Sequence, residues 1–233
     1  MRLAIISDIH SNLQALEKTL EVIRERKVDE IVCLGDIVGY GANPNECVRL
    51  VQDHCTTVLL GNHDLAALEP SVAEQFTANA RIAALWTSEH LQPEHKDFLG
   101  TLPYVAARQD VFLVHSSPYE PEEWHYIFST AEARSMFDHF SEQICFVGHS
   151  HVPGVYAERS GDGHITRNER FIVNVGSVGQ PRDGNPRLSF GILDTDRWEY
   201  DNVRMSYDID AASNEILKAG LPRLLGERLY VGM

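Results

Sequence analysis

MRLAIISDIHSN, residues 1–12, is the stretch on which the reading of the whole chain turns. Leu3 to Ile6 are four apolar residues in succession with no polar alternation, the pattern of a parallel strand buried on both faces. Open α/β sheets gather their ligands at the carboxyl edge of the strands, so Asp8 and His10 fall where chemistry is usually placed. Two residues apart, the two side chains point the same way if the strand continues through them, and that is a metal-ligand spacing. The competing reading makes Asp8 the cap of a helix beginning near Leu13 and His10 an ordinary loop residue.

Composition bounds the possibilities. A chain of 233 residues, 43% hydrophobic, can bury a full core and is expected to form one domain over 1–233. No apolar run has the length of a membrane span, and Met1-Arg2 leads directly into a strand without a signal-peptide pattern, so a soluble, cytoplasmic protein with no membrane partner is expected. Cys33, Cys47, Cys55 and Cys145 show no CxxC pairing and read as structural thiols. The net charge of −14, without a Lys/Arg cluster, disfavours nonspecific nucleic-acid binding. An anionic substrate would need local positive charge, which bound metal ions supply.

Apolar residues at Leu13, Leu16, Leu20 and Ile23 predict a helix over Leu13 to Arg26. Glu30 to Leu34 reads as a second strand ending in Gly35-Asp36, followed by a helix from about Pro44 to Val51. TTVLLGNHD (56–64) reads as a third strand ending in Asn62-His63-Asp64. A mainly helical stretch follows from Val72 to Leu99. Next comes a hairpin, YVAARQDVFLVHS (104–116), whose second strand ends at His115, and Ile144 to Val147 is a buried strand ending in GHSH. From Val152 onward, short runs separated by Gly, Asp and Asn turns read as antiparallel hairpins, expected to form a second sheet packed on the first. A last helix spans Ile209 to Leu217.

The strand exits together hold Asp8, His10, Asp36, Asn62, His63, His115, His149 and His151. These are oxygen and nitrogen donors suited to divalent metals such as Mn, Fe, Zn, Co or Ni, with no cysteine among them. Two ions about 3.5–4 Å apart need a bridging carboxylate and several terminal ligands, which is about this number. The alternative, a set of buried histidines and aspartates satisfied by core hydrogen bonds, is ordinary for one residue and strained for five strand ends at once.

In this order DIH, GD, GNHD, VH and GHSH resemble the calcineurin-like metallophosphoesterase superfamily, whose pattern is DxH, GDxx, GNH(D/E), H and GHxH. The small bacterial members also carry a segment similar to NVGSVGQPRDG (174–184). The resemblance implies an α/β fold of two mixed β-sheets packed as a sandwich and flanked by helices. It further implies that Asp8, His10 and His151 bind a first metal, that Asp36 bridges, and that Asn62, His115 and His149 complete a second. His63 would be the catalytic acid and Asp64 either its orienting partner or a helix cap. By the same resemblance, a metal-bridging hydroxide would hydrolyse phosphodiesters or small phosphorylated metabolites. A phosphomonoesterase, a diadenosine-tetraphosphatase-like nucleotide hydrolase and a catalytically idle scaffold are the alternatives.

Departures from the pattern carry information. Protein phosphatases have GDxxDRG, whereas GDIVGYG here places Gly39 and Tyr40 at the Asp and Arg positions, which weakens a protein-phosphatase reading. Arg182, in the rigid turn GSVGQPRDG, is then either a replacement clamp for a substrate oxygen or a turn residue paired with Asp183. Asn12, beside the first motif, joins it as an expected substrate contact. Trp124 and Tyr126 either line a cleft or serve packing, and His54, His90, His95, His125, His139 and His164 lie outside any motif. Neither oligomeric state nor physiological substrate is legible in the sequence.

Overall fold

A strand that is apolar at every position must be covered on both sides, and that demand organises the molecule. The computed structural model describes residues 1–161 and 163–233. In chain order it contains β1 (Arg2–Ile6), α1 (Leu13–Glu25), β2 (Glu30–Cys33), α2 (Pro44–His54), β3 (Thr57–Val58), α3 (Asn62–Leu68), α4 (Ala78–His90) and α5 (Pro93–Leu99). There follow β4 (Val105–Arg108), β5 (Val111–Val114), α6 (Thr130–Met136), β6 (Ile144–Val147), β7 (Gly154–Ala157), β8 (Phe171–Asn174), β9 (Leu188–Asp194), β10 (Glu199–Met205), α7 (Ile209–Lys218) and α8 (Arg223–Glu227).

The strands form two mixed five-stranded sheets, ordered β10-β9-β1-β2-β3 and β4-β5-β6-β8-β7. Side-chain alternation divides β1 between two cores. Leu3 and Ile5 enter the layer between the sheets with Val32, Leu113, Phe146 and Phe171. Ala4 and Ile6 face outward against Leu16 and Leu20 of α1 and Val48 of α2. The outer face of the second sheet, with Cys145 and Val147, is covered by Ala133 and Phe137. This is the helix-flanked sandwich that the sequence implied.

Two expectations are corrected. The hairpin-rich half does not make the second sheet alone. The hairpin of β9 and β10 docks antiparallel on β1, with Leu3 opposite Leu193, and covers an edge that would otherwise be open. The second sheet instead begins with β4 and β5, and β8 adds parallel to β6. The third strand of the first sheet is also shorter than read. It ends at Val58, and Asn62 already belongs to α3, while Leu59 continues only as a buried link whose N–H donates to the Cys33 carbonyl at 2.9 Å. All four cysteines are free, as structural thiols should be. Among the described residues no helix is long and apolar enough to cross a membrane.

Candidate metal centre

The strand exits do meet at one edge, but not by straight continuation of the strands. β1 stops at Ile6, and Asp8 and His10 have left-handed backbones with φ of 54° and 50°. Asp36, His149 and His151 share that conformation at 52°, 63° and 61°. Left-handed backbone costs roughly 1–2 kcal/mol per non-glycine residue and persists only where surrounding bonds impose it. Here the loops lock one another: the N–H of Asp8 donates to the Gly35 carbonyl at 3.1 Å, that of His10 to the Asp36 carbonyl at 3.0 Å, and that of Gly148 to the His115 carbonyl at 2.8 Å. The side chains are thereby turned inward together.

Two buried donor groups result, Asp8 with His10, Asp36 and His151, and Asp36 with His115 and His149. Asp36 belongs to both. Hydrogen bonds to carbonyl oxygens fix the imidazole tautomers. Nδ1 of His10 lies 3.1 Å from the Val38 oxygen, that of His115 3.2 Å from Leu34, and that of His151 2.5 Å from Gln180. A carbonyl only accepts, so each Nδ1 carries the hydrogen, and in the neutral ring Nε2 is left to present its lone pair to the centre.

His10 Nε2 and His151 Nε2 are 3.0 Å apart, and His151 Nε2 is 3.3 Å from Asp8 Oδ1. Two lone pairs facing a carboxylate at that range repel unless a cation lies among them. In the second group Asp36 Oδ2 is 3.4 Å from His115 Nε2. The Asn62 Oδ1, His115 Nε2 and His149 Nε2 atoms are buried with no hydrogen-bond partner among the described residues. Orphaned acceptors are expensive to bury, and a divalent ion is the partner their chemistry suits. The residues therefore fit a metal in each group.

Electrostatics agree. Burial raises the carboxyl pKa of Asp8, but His151 and His115 outweigh it and the net displacement is downward. Asp36 likewise ends well below the carboxylate range because His115 and His63 overcome its burial. Burial drives His10 well down and His149 to about 3. His115 goes the other way: burial lowers it, yet Asp36 and Asp8 push it up to about 9. Ionised carboxylates among mostly neutral imidazoles are what a cation requires.

His63 enters from the first turn of α3 and is buried, its Nδ1 without a partner among the described residues. Its ring lies 4.5 Å from that of Tyr40, 4.6 Å from Phe76 and 4.9 Å from His10. A Cβ at Gly39, whose φ is +94°, would stand 2.6 Å from His63 Nδ1, so glycine lets the loop close against the ring. Two aromatic rings thus hold His63 where the protein-phosphatase pattern uses an Asp. Burial lowers its pKa to about 4, against the pull of Asp36.

Of the remaining expected site residues, Asp64 does not touch the His63 ring. Its Oδ1 accepts from Ile37 and Val38 at 2.9 and 3.0 Å and its Oδ2 from Gly61 at 3.0 Å, so the helix-cap alternative describes it. Burial and the Asp36 charge push Asp64 up to about 7 while those N–H groups pull it back. Asn12, expected as a substrate contact, is fully engaged by protein: Oδ1 caps α1 at Ala15 N, and Nδ2 donates to the Gly179 carbonyl and Tyr207 hydroxyl. It also takes the capping role that one reading gave to Asp8.

Arg182 does not pair with Asp183, which is held by Arg204 at 2.8 and 3.1 Å. Its Nη2 donates to the Tyr40 hydroxyl at 3.2 Å and Gln180 Oε1 at 3.0 Å, and its Nε is buried without a partner among the described residues. Tyr126 stacks on the metal-facing His149 at 4.0 Å while remaining 46% exposed, and Trp124 meets His115 edge-on at 5.9 Å. Both rings lie against histidines of the second donor group. Tyr40 and Phe76 were missed as His63 neighbours, although the bulky residue in GDIVGYG was the available signal; nothing in the sequence marked Phe76.

Two mixed sheets with paired His/Asp donor groups at their shared edge define a metallophosphoesterase architecture. Residues 1–197 match the calcineurin-like phosphoesterase superfamily domain, and the chain belongs to that superfamily. The crystal structure of a metallophosphoesterase from Sphaerobacter thermophilus superposes with a TM-score of 0.89 at 39% identity, covering 100% of this chain and 99% of the other. The uncharacterized protein MJ0912 of Methanocaldococcus jannaschii is 40% identical over 99% of this chain and 98% of its own. Phosphodiesterase YfcE of Escherichia coli K12 is 28% identical over 84% of this chain and 89% of its own.

Proposed function

We propose that residues 1–233 form one cytoplasmic, dinuclear-metal phosphoesterase domain acting on phosphodiesters or small phosphorylated metabolites. The observation that carries this reading is the sharing of Asp36 by two buried donor groups whose imidazole lone pairs face one another. Asp8, His10 and His151 would hold one divalent ion, Asn62, His115 and His149 the other, with Asp36 between them; Mn, Fe, Zn, Co and Ni all suit such donors. Bound there, the ions supply Lewis-acid polarisation of a phosphoryl oxygen and lower the pKa of water from about 16 towards 7.

The chain's own groups do the rest. His63 donates a proton to the leaving oxygen or a hydrogen bond to its developing charge. Although burial keeps its pKa near 4, an anionic phosphoester against the ring raises it, because a neighbouring negative charge favours the imidazolium. Arg182 offers a planar fork to a non-bridging or ester oxygen. Tyr126 and Trp124 flank His149 and His115 and help to hold those rings in place.

The test is hydrolysis of bis-p-nitrophenyl phosphate and of the monoester by chelator-stripped protein before and after Mn²⁺ or Ni²⁺ loading, with metal content measured in parallel. Diester turnover that appears as two ions per chain are taken up is the expected result. Absence of turnover of either ester in fully loaded protein favours the idle scaffold.

A further inference from the structure

Tyr40 links Arg182, already placed at the substrate, to a second arginine that has no part in the proposed chemistry. Its ring lies beside His63 and His10, and two guanidinium groups approach it: Arg182 Cζ at 5.6 Å from the ring centroid and Arg228 Cζ at 5.7 Å. Those distances bound the separation of the two cations by their sum. Arg182 comes from the loop after β8, whereas Arg228 comes from the tail after α8, beyond residues 1–197 that carry the family match.

The tail is fixed there by its own packing. Leu225 and Leu229 are buried in the cluster that contains Tyr40, Ala212 and Ile216. The Gly184 N–H, two residues from Arg182, donates to the Gly232 carbonyl at 2.9 Å, so the tail and the Arg182 loop are joined. Arg228 Nε donates to a main-chain oxygen of Met233. Among the described residues no Asp or Glu side chain forms an ion pair with either arginine. The nearby acids are spoken for, Asp183 by Arg204 and Glu227 by Arg223. In a chain of net charge −14, two half-buried guanidiniums beside Tyr40, neither paired with an acidic side chain among the described residues, place positive charge next to the donor groups.

We infer that Arg228 forms a second anion subsite beside Arg182, so that the preferred substrate carries a further phosphate next to the ester that Arg182 faces. The inference rests on the phosphoesterase reading for the position of the scissile group. Arg228 is then a specificity residue. The energy of holding a non-reacting phosphate there is available to orient the reacting one. The competing account is that both arginines merely pack over Tyr40 as cation–π partners.

The probes are AMP and adenosine 3′,5′-bisphosphate, which differ by one phosphate on a common carrier. Binding to Mn²⁺-loaded full-length protein is measured by calorimetry for wild type, Arg228→Gln, Arg228→Lys and the control Arg223→Gln. A charge-assisted contact predicts that wild type binds the bisphosphate roughly 10- to 100-fold more tightly than AMP. Arg228→Gln should bring that ratio close to one, Arg228→Lys should lower it by less, and Arg223→Gln should keep it. Equal affinities in wild type, or a ratio unchanged in both Arg228 variants, overturns the subsite. Arg228→Lys keeps burial and charge and carries the test if the glutamine variant does not fold. Diester turnover of the same preparations separates the two readings: a bisphosphate preference lost in Arg228→Gln, in a wild type that hydrolyses nothing, supports the subsite while defeating the hydrolytic reading.

Discussion

The Asp36 carboxylate accepts the backbone N–H of His63 at 2.8 Å through Oδ1, while its Oδ2 faces His115 Nε2 at 3.4 Å and His10 Nε2 at 3.6 Å. One side chain therefore joins the two donor groups and also sets the start of the helix that carries the proposed acid. Metal geometry and acid position are coupled through a single carboxylate.

Asp36→Asn is expected to bind at most one metal per chain and to lose at least about 100-fold in diester turnover. The amide keeps the volume and an acceptor for His63 N–H, but it turns a donor NH₂ or a neutral oxygen toward the histidines and removes the charge that two cations share. Metal content by mass spectrometry and turnover at saturating Mn²⁺ check this, with far-UV circular dichroism confirming the fold. Two ions retained at full activity would contradict the bridging role.

Asp64→Asn separates a structural role from a catalytic one. The wild-type carboxylate accepts three N–H groups, and an amide can satisfy those at only one of its two ends, leaving a donor against a donor. A buried unsatisfied group costs about 1–3 kcal/mol, which in a chain of this size lowers Tm by several degrees. With metal restored to saturation, kcat should fall by less than about tenfold. An unchanged Tm with a large loss of kcat would place Asp64 in the chemistry instead.

The gathering of these donors at one edge was legible because most of them follow an apolar strand core, and β1, β2, β5 and β6 lie within a residue of where their unbroken runs put them. What the sequence could not show is how the loops turn. Asp8 and His10 were read as extended, yet their left-handed backbones are imposed by bonds to Gly35 and Asp36, residues more than twenty positions away. Gly61 illustrates the same limit: a Cβ there would overlap Asp36 Oδ1 and the Asp36 backbone nitrogen, a close approach that only the assembled fold creates. Sheet order was equally hidden, since a hairpin pattern carries no information on which edge it will join. The protein partners of Asn12 were hidden for the same reason, because its amide nitrogen bonds Gly179 and Tyr207, far along the chain, while only its oxygen finds a local partner in Ala15.

His63→Asn should keep both metals and lower turnover by roughly 10²–10⁴, the usual contribution of a positioned acid. The loss should depend on the leaving group, because a nitrophenolate departs without a proton and an alkoxide does not. A series of aryl and alkyl phosphodiesters therefore distinguishes an acid from a merely structural ring packed between Tyr40 and Phe76. Equal losses across the series would remove His63 from proton donation.

Arg182 is the remaining point at which geometry separates two readings of the sequence. Because Asp183 is bound to Arg204, the turn-pair account no longer explains why Arg182 is held inward against Tyr40 and Gln180. Its two donor bonds, to Tyr40 and Gln180, both leave from Nη2, and the buried Nε has no partner among the described residues, so the fork retains capacity for an incoming oxygen. Arg182→Lys replaces that fork by a point charge and should already raise KM or reduce kcat by about tenfold, since planar two-point recognition is lost while charge is kept. Arg182→Ala should cost more, with metal content unchanged because no metal-facing atom is bonded to the guanidinium. Steady-state kinetics on diester and monoester, with metal analysis of each variant, decide the matter: kcat/KM equal to wild type for Arg182→Ala on both substrates would reduce the residue to a support for Tyr40.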